Sequence, residues 1–416
     1  MFKRKVSFGL IIMFVLTTLL SACGPQRDTT EVEQESNGDE IPEKPEELTF
    51  WAWDDVLPAF QAIGDKYTEE TGIKVNVVDA QNADLSLDAP AGKGPDLYYE
   101  THDRIGDSYL QGLASELTLT EEQLSGYEES ALEAFTYNGK LLGIPSSVET
   151  IGLFYNKELV PEAPKTIEDI TNIAASLTNA EKDEFGFLNI TSDFYPTYPF
   201  LTAAGGYVFG KNDQGGYDPS DIGLATDEVV EGAELIASWH QNGYIPESVT
   251  YDVMNGLFRD GKVGAIISGP WGIPDFSAGL GDNLAIAPLP TFNGNQLKSF
   301  LGVKGMVISE YSENKYWATD FALFMSNPEN SKFLFDEIKR IPARTDVTID
   351  DELYQGIQEQ IKHAVPMPNI PEMAQVWDPM ADALVFISEG EEPKAVLEEA
   401  VQNIKEQIDL IGGNNE

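Results

Sequence analysis

Residues 144–157 (Ile-Pro-Ser-Ser-Val-Glu-Thr-Ile-Gly-Leu-Phe-Tyr-Asn-Lys) place one carboxylate among small and apolar neighbours. The segment opens with a proline turn. The run from Thr150 to Tyr155 is predicted to be a buried strand bounded by turn residues. Glu149 stands at the mouth of that strand. A lone acid in this position is either satisfied by backbone donors or directed at a ligand, and the residues alone leave both alternatives open.

The chain is long enough for two domains and strongly acidic. It has 416 residues, with 26 Lys and Arg against 70 Asp and Glu, which gives a net charge of −44. Such a charge repels nucleic acid and anionic membrane surfaces, and it disfavours anionic ligands. The composition therefore predicts no nucleic-acid partner and no anionic ligand. The acidity itself indicates a heavily solvated surface.

The N-terminus carries a targeting signal. Three basic residues at positions 3–5 precede an apolar run over 8–20, which is too short for an ordinary spanning helix. Residues 1–22 are therefore predicted to be a signal peptide. The run closes on Leu20-Ser-Ala-Cys23, which resembles a bacterial lipobox. That resemblance implies lipidation of Cys23, the only cysteine in the chain, in preference to a buried free thiol.

Residues 23–46 are predicted to be a disordered acidic tether. The segment has several Glu, two Pro and few apolar side chains, so it cannot bury enough surface to fold. A lipid on Cys23 would hold the protein on the extracellular face of the cell membrane, and the membrane would be contacted only through this anchor. The folded part is predicted to begin at residues 47–48.

The first folded segment alternates strands with helices. Strands are predicted over 48–53, 73–78 and 97–99, with a helix capped by Asp54-Asp55 that runs to Thr71 and ends at Gly72. This order predicts an α/β domain with a mostly parallel sheet, in which ligands bind outside the carboxyl ends of the strands. Residues 53–55 and 100–104 would then share one rim.

Helices and strands continue to alternate after Pro164. The predicted helices are 167–177, 226–242, 253–259 and 314–325, and the predicted strands are 263–268, 284–290 and 302–308. The last third of the chain is predicted to be helical, with a proline-rich break over 366–371. Crossings between domains are expected near 147–150, 288–292 and 325–328.

Eight short motifs follow one another along residues 47–412: Thr71-Gly-Ile-Lys-Val, Gly94-Pro-Asp, His102-Asp-Arg, Tyr155-Asn-Lys, Ala203-Ala-Gly-Gly-Tyr, Ser268-Gly-Pro-Trp, Leu289-Pro-Thr-Phe, and Met367-Pro-Asn-Ile-Pro with Trp377. In this order and spacing they resemble the bacterial maltose/maltodextrin-binding proteins of ABC importers. The resemblance implies the type II periplasmic-binding-protein fold, with two α/β lobes joined by a multi-crossing hinge. We expect an N-terminal lobe of residues 47–148 plus 291–326 and a C-terminal lobe of 149–290 plus 327–416.

The resemblance also implies the binding residues. Sugar recognition uses flat aromatic rings against the pyranose face and planar charged groups on its hydroxyls. The implied stacking residues are Trp271 and Trp377, although the spacing of Trp377 alone favours a core position. The other implied contacts are the hydroxyl binders Asp55, Asp103, Arg104 and Glu149, the second lobe's Asp193, Phe194, Tyr195 and Tyr251, and Met367 beside the reducing end of the sugar.

Three positions depart from the family's pattern. Glu100 stands where the family has a stacking tryptophan, Val56 replaces a lysine, and Ala381 replaces an arginine. The substitutions remove one ring platform and two cations. They leave open whether the ligand is a maltodextrin, a galacto- or xylo-oligosaccharide, or a cyclodextrin.

The sequence therefore predicts a monomeric, non-enzymatic receptor that hands a neutral oligosaccharide to the permease of an ABC importer. The competing hypothesis is a secreted glycoside hydrolase, since paired acids such as Asp103 and Glu149 also suit glycosidic cleavage. The three histidines fall in unrelated segments and no P-loop or Gly-x-Ser-x-Gly occurs, so no metal, cofactor or catalytic residue is predicted.

Overall fold

The computed structural model describes residues 41–53, 56–212 and 215–412. Two β-sheets flanked by helices make up this part of the chain. The predicted signal peptide, Cys23, most of the predicted tether, and Asp55 lie outside the described residues. No helix within the described ranges is long and apolar enough to cross a membrane.

Residues 47–149 build most of the larger sheet. Helix α1 follows Val56, which makes no capping bond, and it ends at Gly72, whose φ of 80° is the left-handed cap predicted from the sequence. The N-cap is therefore Val56, one residue after the predicted Asp54-Asp55 cap. The elements are β1 (Glu47–Ala52), α1 (Leu57–Thr71), β2 (Lys74–Asp79), α2 (Leu85–Asp88), β3 (Leu97–Thr101), α3 (Ile105–Leu110), α4 (Glu121–Leu124), α5 (Glu129–Ala134), β4 (Thr136–Tyr137), β5 (Lys140–Leu141) and β6 (Ile144–Glu149).

Residues 152–287 build the smaller sheet and its helices. Helix α6 and strand β11 have the bounds that the sequence pattern predicts, because both have strong apolar patterns and α6 starts with a Thr166–Asp169 capping box. The elements are β7 (Gly152–Asn156), α6 (Ile167–Leu177), β8 (Phe185–Leu188), α7 (Phe194–Leu201), β9 (Phe209–Lys211), β10 (Tyr217–Ile222), α8 (Asp227–Gln241), α9 (Tyr251–Arg259), β11 (Val263–Ser268), α10 (Ile273–Leu280) and β12 (Leu284–Ala287).

The remaining chain contributes to both parts of the molecule. Its longest strand returns to the larger sheet, and its last helices pack on the helices of the smaller sheet. The elements are β13 (Thr291–Phe292), β14 (Asn295–Gln296), β15 (Phe300–Ile308), α11 (Lys315–Met325), α12 (Pro328–Ile338), β16 (Ile341–Pro342), α13 (Glu352–Ile361), β17 (Val365–Pro366), α14 (Trp377–Ser388) and α15 (Pro393–Gly412).

The sheets are mixed rather than mostly parallel, so that prediction is wrong. The larger sheet has the order β16-β6-β15-β3-β1-β2, with β17 paired to β15, and the smaller has the order β12-β7-β11-β8. Strands β1, β2 and β3 are parallel, but β15 runs antiparallel to both β3 and β6. The reason is that β15 enters the larger sheet from the smaller one and therefore runs opposite to its neighbours.

The chain leaves the larger sheet between Glu149 and Gly152. The strand predicted over 150–155 begins at Gly152 instead. Thr150 is not part of it, because its side chain is hydrogen-bonded at the start of β15. Its Oγ1 donates to the carbonyl of Phe300 at 2.7 Å and lies 2.6 Å from Ser299 Oγ. Downstream, β16 pairs with β6 in the larger sheet. This pairing favours a third crossing after Pro342 rather than near 325–328.

The start of the described chain is fastened beside α11. The indole Nε1 of Trp317 donates to the carbonyls of Pro42 at 3.2 Å and Glu43 at 3.0 Å. Lys44 Nζ donates to the carbonyl of Thr71 at 2.8 Å, at the end of α1. The chain thus enters β1 at the edge opposite the carboxyl ends of β1, β2 and β3.

Candidate ligand-binding site

A charged wall is formed where β3 and β6 end. We give this name to Asp103, Arg104, Glu149 and Lys304. Asp103 and Arg104 lie in a 3₁₀ helix, His102–Arg104, directly after β3, and Glu149 is the last residue of β6. Strand β15 runs between β3 and β6 and brings Lys304 Nζ to 3.5 Å from Glu149 Oε2. Glu149 therefore keeps a charge partner while its side chain stays 30% exposed.

A buried histidine fixes the position of Asp103 and Arg104. The backbone N–H of Val303 donates to His102 Nδ1 at 3.1 Å, and Nε2 contacts the carbonyl of Met367 at 3.1 Å. Nδ1 also lies 3.3 Å from the carbonyl of Val303. The shorter bond from Val303 N favours the neutral imidazole with its proton on Nε2. Burial lowers the pKa of His102. Met367, predicted as a ligand contact, is partly buried and held here by its backbone.

Asp193 organises the facing side of the site. It is the N-cap of α7, and its Oδ1 accepts a hydrogen bond from Tyr195 N at 2.9 Å. Its Oδ2 accepts a hydrogen bond from the exposed hydroxyl of Tyr251 at 2.8 Å. Burial first, and then the Asp193 hydrogen bond, raise the pKa of Tyr251 above its ordinary value. Asp193 thus joins two predicted tyrosines into one polar unit.

Five rings form an aromatic cluster next to this unit: Phe194, Tyr195, Tyr198, Phe300 and Trp377. Tyr198 stacks on Phe300 with ring centroids 3.9 Å apart, and the Trp377 ring meets Phe194 and Phe300 edge-on at 5.8 and 6.2 Å. Trp377 is only partly buried, so part of its surface is free for a ligand. Phe194, by contrast, is 1% exposed. It packs behind Trp377, where a ligand would not contact it.

Trp271 is the most exposed ring of the predicted set. It follows β11 in a short 3₁₀ helix, Pro270–Gly272, and 56% of its surface is exposed. The indole folds back over Gly269, where a Cβ atom would stand 2.2 Å from the ring. Glycine at 269 is therefore needed for the ring to lie flat at the strand end. An exposed tryptophan held in this manner is suited to stacking on an apolar ligand face.

The two sides converge on Tyr195. Burial raises the pKa of this phenol, and the negative charges of Glu149 and Asp193 raise it further. Glu149 belongs to the charged wall and Asp193 to the opposite side, so both carboxylates lie near one hydroxyl. The structure thus relates Glu149 of the charged wall to Asp193, Tyr195 and Tyr251. Carboxylates and phenols of this kind bind the hydroxyls of neutral sugars.

Sequence reasoning missed three residues of this arrangement: Tyr198, Phe300 and Lys304. Phe300 and Lys304 lie on β15, whose place between β3 and β6 depends on long-range pairing. One signal was available, because Lys304 interrupts an otherwise apolar strand. Within the described ranges, no group of three or more His, Cys, Asp or Glu residues is placed to hold a metal ion.

A family model described as bacterial extracellular solute-binding protein matches residues 62–355, which is more than half of the chain. This chain belongs to the bacterial extracellular solute-binding proteins. The family and the relatives below are substrate-binding proteins rather than enzymes, so the hydrolase hypothesis has no support from them.

The relatives of this solute-binding protein are named for oligosaccharides. It is 35% identical to a galactooligosaccharide-binding protein of Bacillus subtilis, over 94% of both chains. It is 33% identical to a maltooligosaccharide ABC transporter solute-binding lipoprotein of Streptococcus pneumoniae, again over 94% of both. A solved extracellular solute-binding protein from Staphylococcus aureus in complex with maltose is 44% identical, with a TM-score of 0.86 over 89% of this chain and all of that one. The two-lobed binding-protein fold expected from the sequence is confirmed.

Proposed function

We propose that this solute-binding protein captures maltose and maltodextrins between its two lobes and delivers them to the permease of an ABC importer. The observation that carries the proposal is the polar unit of Asp193 and Tyr251, and the exposed Trp271 indole held over Gly269 supplies a ring surface. Rings that stack on sugar faces and carboxylates that accept from sugar hydroxyls together explain affinity for a neutral glucan without any covalent step. The likeness to a maltose complex at 44% identity supports the same ligand class.

The proposed motion is hinge closure of the lobes. We expected lobes of residues 47–148 plus 291–326 and 149–290 plus 327–416, and we now propose that the third crossing follows β16, so that residues 327–342 join the first lobe. Support comes from a buried polar cluster at the crossings. Gln360 Nε2 donates to Leu297 O at 3.1 Å and contacts Ser299 Oγ at 3.0 Å, and Ser299 in turn contacts Thr150. A satisfied network of this kind holds the crossing segments rigidly to one another, so that they would move as one unit in a hinge motion.

The membrane anchor is part of the proposal. A lipid on Cys23 would keep the protein on the extracellular face of the membrane, close to its permease, and the lipoprotein relative supports this placement. Metabolic labelling with a fatty acid tests it. We expect label on the wild-type protein and none on Cys23→Ser, which should be released into the medium.

A second ligand class is favoured by one observation. Glu100 replaces a stacking tryptophan of the resembled family, and the galactooligosaccharide-binding relative shares 35% identity. A galacto-oligosaccharide is therefore the alternative ligand for the same receptor role.

The test is a thermal-shift panel on the full-length protein with maltose, maltotriose, longer maltodextrins, cyclodextrins, and galacto- and xylo-oligosaccharides. A ligand at one hundred times its dissociation constant adds about 2.7 kcal/mol to the free energy of unfolding. We expect a shift with maltotriose that is lost in Trp271→Ala, while Phe386→Ala, another exposed ring, keeps it. No shift with any α-glucan but a clear shift with a galacto-oligosaccharide would replace the proposed ligand and keep the receptor.

A further inference from the structure

A cavity of about 510 Å³ lies against the aromatic cluster, and its volume is within the range of about 300–1,000 Å³ usual for small-molecule sites. Tyr198 and Phe300 line it, whereas Trp377 does not. Its other walls come from α5, the antiparallel pair β9–β10, and β17, and we call it the β9–β10 cavity. Of the binding residues predicted from the sequence, none that the structure describes lines it. It therefore differs from the candidate site, which it meets at two buried rings.

Tyr207 offers a ring to the β9–β10 cavity. It is 39% exposed and lines the cavity shortly before β9. The ring lies on Gly223, where a Cβ atom would stand 2.7 Å from the nearest ring atom. A side chain at position 223 would therefore displace the ring. The backbone covers part of the ring and leaves the rest free, as a stacking contact with a sugar requires.

Asp221 holds a carboxylate beside this ring. Its Oδ1 accepts a hydrogen bond from the Tyr207 hydroxyl at 2.8 Å. Its Oδ2 lies over Gly210, where a Cβ atom would stand 2.0 Å from that oxygen. Oδ2 accepts no hydrogen bond from any residue in the described ranges. Two glycines thus make room for the ring and for the acid, and one oxygen of the acid is available to a ligand hydroxyl.

The candidate site contains the same construction. The hydroxyl of Tyr251, which is 42% exposed, donates to Asp193 at 2.8 Å. The ring of Trp271 lies over Gly269. Both places therefore combine an exposed ring on a glycine with a tyrosine hydroxyl bound to a carboxylate. Because these groups at the candidate site suit a neutral pyranose, the β9–β10 cavity suits one too.

The charged side chains of the cavity are balanced. Lys211 Nζ pairs with Glu133 at 3.0 Å and lies 3.8 Å from the centroid of the Tyr217 ring. Lys298 is exposed and forms no ion pair or hydrogen bond with any residue that the structure describes. The lining thus has two lysines and two acids, the second acid being Asp221. A lining without net charge fits a neutral ligand better than an ion.

We propose that the β9–β10 cavity is a second saccharide-binding site, which takes pyranose units of a neutral glycan. Tyr207 stacks on a sugar ring, and Asp221 and Lys298 bind its hydroxyls. The inference rests on the proposed function, since it assumes that the ligands of the protein are neutral sugars. The binding groups are exposed to solvent, so we expect weaker affinity here than between the lobes. The shared chemistry is a pyranose, and it has two sources: a free oligosaccharide or a polysaccharide chain.

The test is equilibrium dialysis of the full-length protein against radiolabelled maltotriose, from micromolar to millimolar concentrations. We expect two molecules per wild-type chain, one bound tightly and one weakly. Tyr207→Ala should weaken the weak site about ten-fold and leave the tight dissociation constant within about two-fold. Its control is Tyr311→Ala, because Tyr311 is also 39% exposed but does not line the cavity. One molecule per wild-type chain, or an equal loss of weak binding in the control, would overturn the proposal.

A second variant guards against a change of fold in Tyr207→Ala. Lys298→Met replaces an exposed side chain that has no partner in the described part of the chain, so the fold should stay intact. It should weaken the weak site about three-fold, because one hydroxyl contact is lost. Its control is Lys93→Met, another exposed lysine, in the loop before β3. A lower Tm in Tyr207→Ala with no loss of weak binding in Lys298→Met would overturn the site, because a change of fold would then explain the result.

Affinity electrophoresis through gels that contain soluble starch separates the two sources. It is done with Trp271→Ala, in which we expect the central site to be weakened, and with the double variant Trp271→Ala and Tyr207→Ala. Retardation that is present in the single variant and lost in the double variant assigns a polysaccharide chain. Weak maltotriose binding without such retardation assigns a free oligosaccharide.

Failure of the proposed function gives a different pattern. In that case the tight site takes up no maltotriose, and the dialysis is repeated with radiolabelled galactotriose. Weak binding of either sugar that Tyr207→Ala removes would then sustain the second site while the maltodextrin proposal fails. A single tightly bound maltotriose per chain would sustain the proposed function and overturn the second site.

Discussion

The charged wall and the aromatic cluster show two ways of holding side chains for a ligand. In the charged wall, Asp103 and Arg104 owe their place to a buried histidine and a 3₁₀ helix, and their side chains contribute little to packing. In the aromatic cluster, the rings that would face a ligand are the outer members of a packed core. Substitutions in the wall should therefore change binding alone, whereas substitutions in the cluster should change binding and stability together.

The largest expected effect is in the cluster. Phe300 is 1% exposed and contacts all four other rings. We expect Phe300→Ala to lower the free energy of unfolding by about 3–5 kcal/mol, because it removes a buried ring and leaves a cavity. Urea unfolding measures this. Phe386→Ala, at a half-exposed ring on α14, should stay within about 0.5 kcal/mol. Equal urea midpoints for the two variants would contradict the packing role.

The second largest effect is expected in the charged wall, and it is a loss of sugar affinity. Glu149→Gln should weaken the affinity for the sugar about ten-fold, because a charged hydrogen-bond acceptor is lost. Its effect on the free energy of unfolding should stay below about 1 kcal/mol, since the pair with Lys304 is partly solvated. Calorimetric titration and urea unfolding give the two numbers. Glu116→Gln, which breaks the exposed pair with Lys140, is the matched control and should leave affinity unchanged. If Glu149→Gln lowered the free energy of unfolding but left the affinity unchanged, the charged wall would act in packing rather than in binding.

Tyr251→Phe tests the polar unit at the edge of the cluster. The variant loses only the hydroxyl that donates to Asp193, which keeps its bond from Tyr195 N. We expect a three- to ten-fold loss of affinity, about 0.7–1.4 kcal/mol, because one neutral donor is removed. Asp193→Asn should give a larger loss by the same titration, since it also removes the charge. A larger loss in Tyr251→Phe than in Asp193→Asn would show that the hydroxyl acts on the ligand independently.

The smallest effect concerns pH and the histidine behind the wall. Because burial lowers the pKa of His102, its contribution to stability is complete above its unfolded pKa near 6.5 and is lost as pH falls below that value. Asp103 and Glu149 oppose this shift in part. The free energy of unfolding of wild type should therefore fall more steeply from pH 7 to pH 5 than that of His102→Asn. The difference in slope is at most about 1.4 kcal/mol per pH unit, and parallel curves would rule out the buried neutral imidazole.

Sequence patterns predicted the helix and strand boundaries that depend on residues close in the chain. The bounds of α6 and β11 and the left-handed cap at Gly72 follow from local periodicity and turn chemistry. The motif resemblance predicted the fold and selected Trp271, Asp193 and Tyr251 from among many aromatic and acidic residues. That selection stays a prediction until ligand binding is measured.

Sequence patterns did not predict the strand order, which depends on pairing between residues far apart in the chain. Nothing near Phe300 or Lys304 shows that β15 enters the larger sheet between β3 and β6 and runs opposite to both. The same limit applies to Phe194 and Tyr195, which are neighbours at the start of α7. One is fully buried and the other is not, because Phe300 occupies the space behind them.

The hydrogen bonds from Trp317 to Pro42 and Glu43 have a mechanical consequence. A force applied to the chain before residue 42 would act on these hydrogen bonds before it acts on β1. That force would enter the larger sheet at the amino-terminal end of β1. Trp53 and Glu100 lie at the opposite end of the strands. If the proposed lipid on Cys23 holds the chain at a membrane, its pull would therefore act at the amino-terminal end of β1, away from the proposed binding residues.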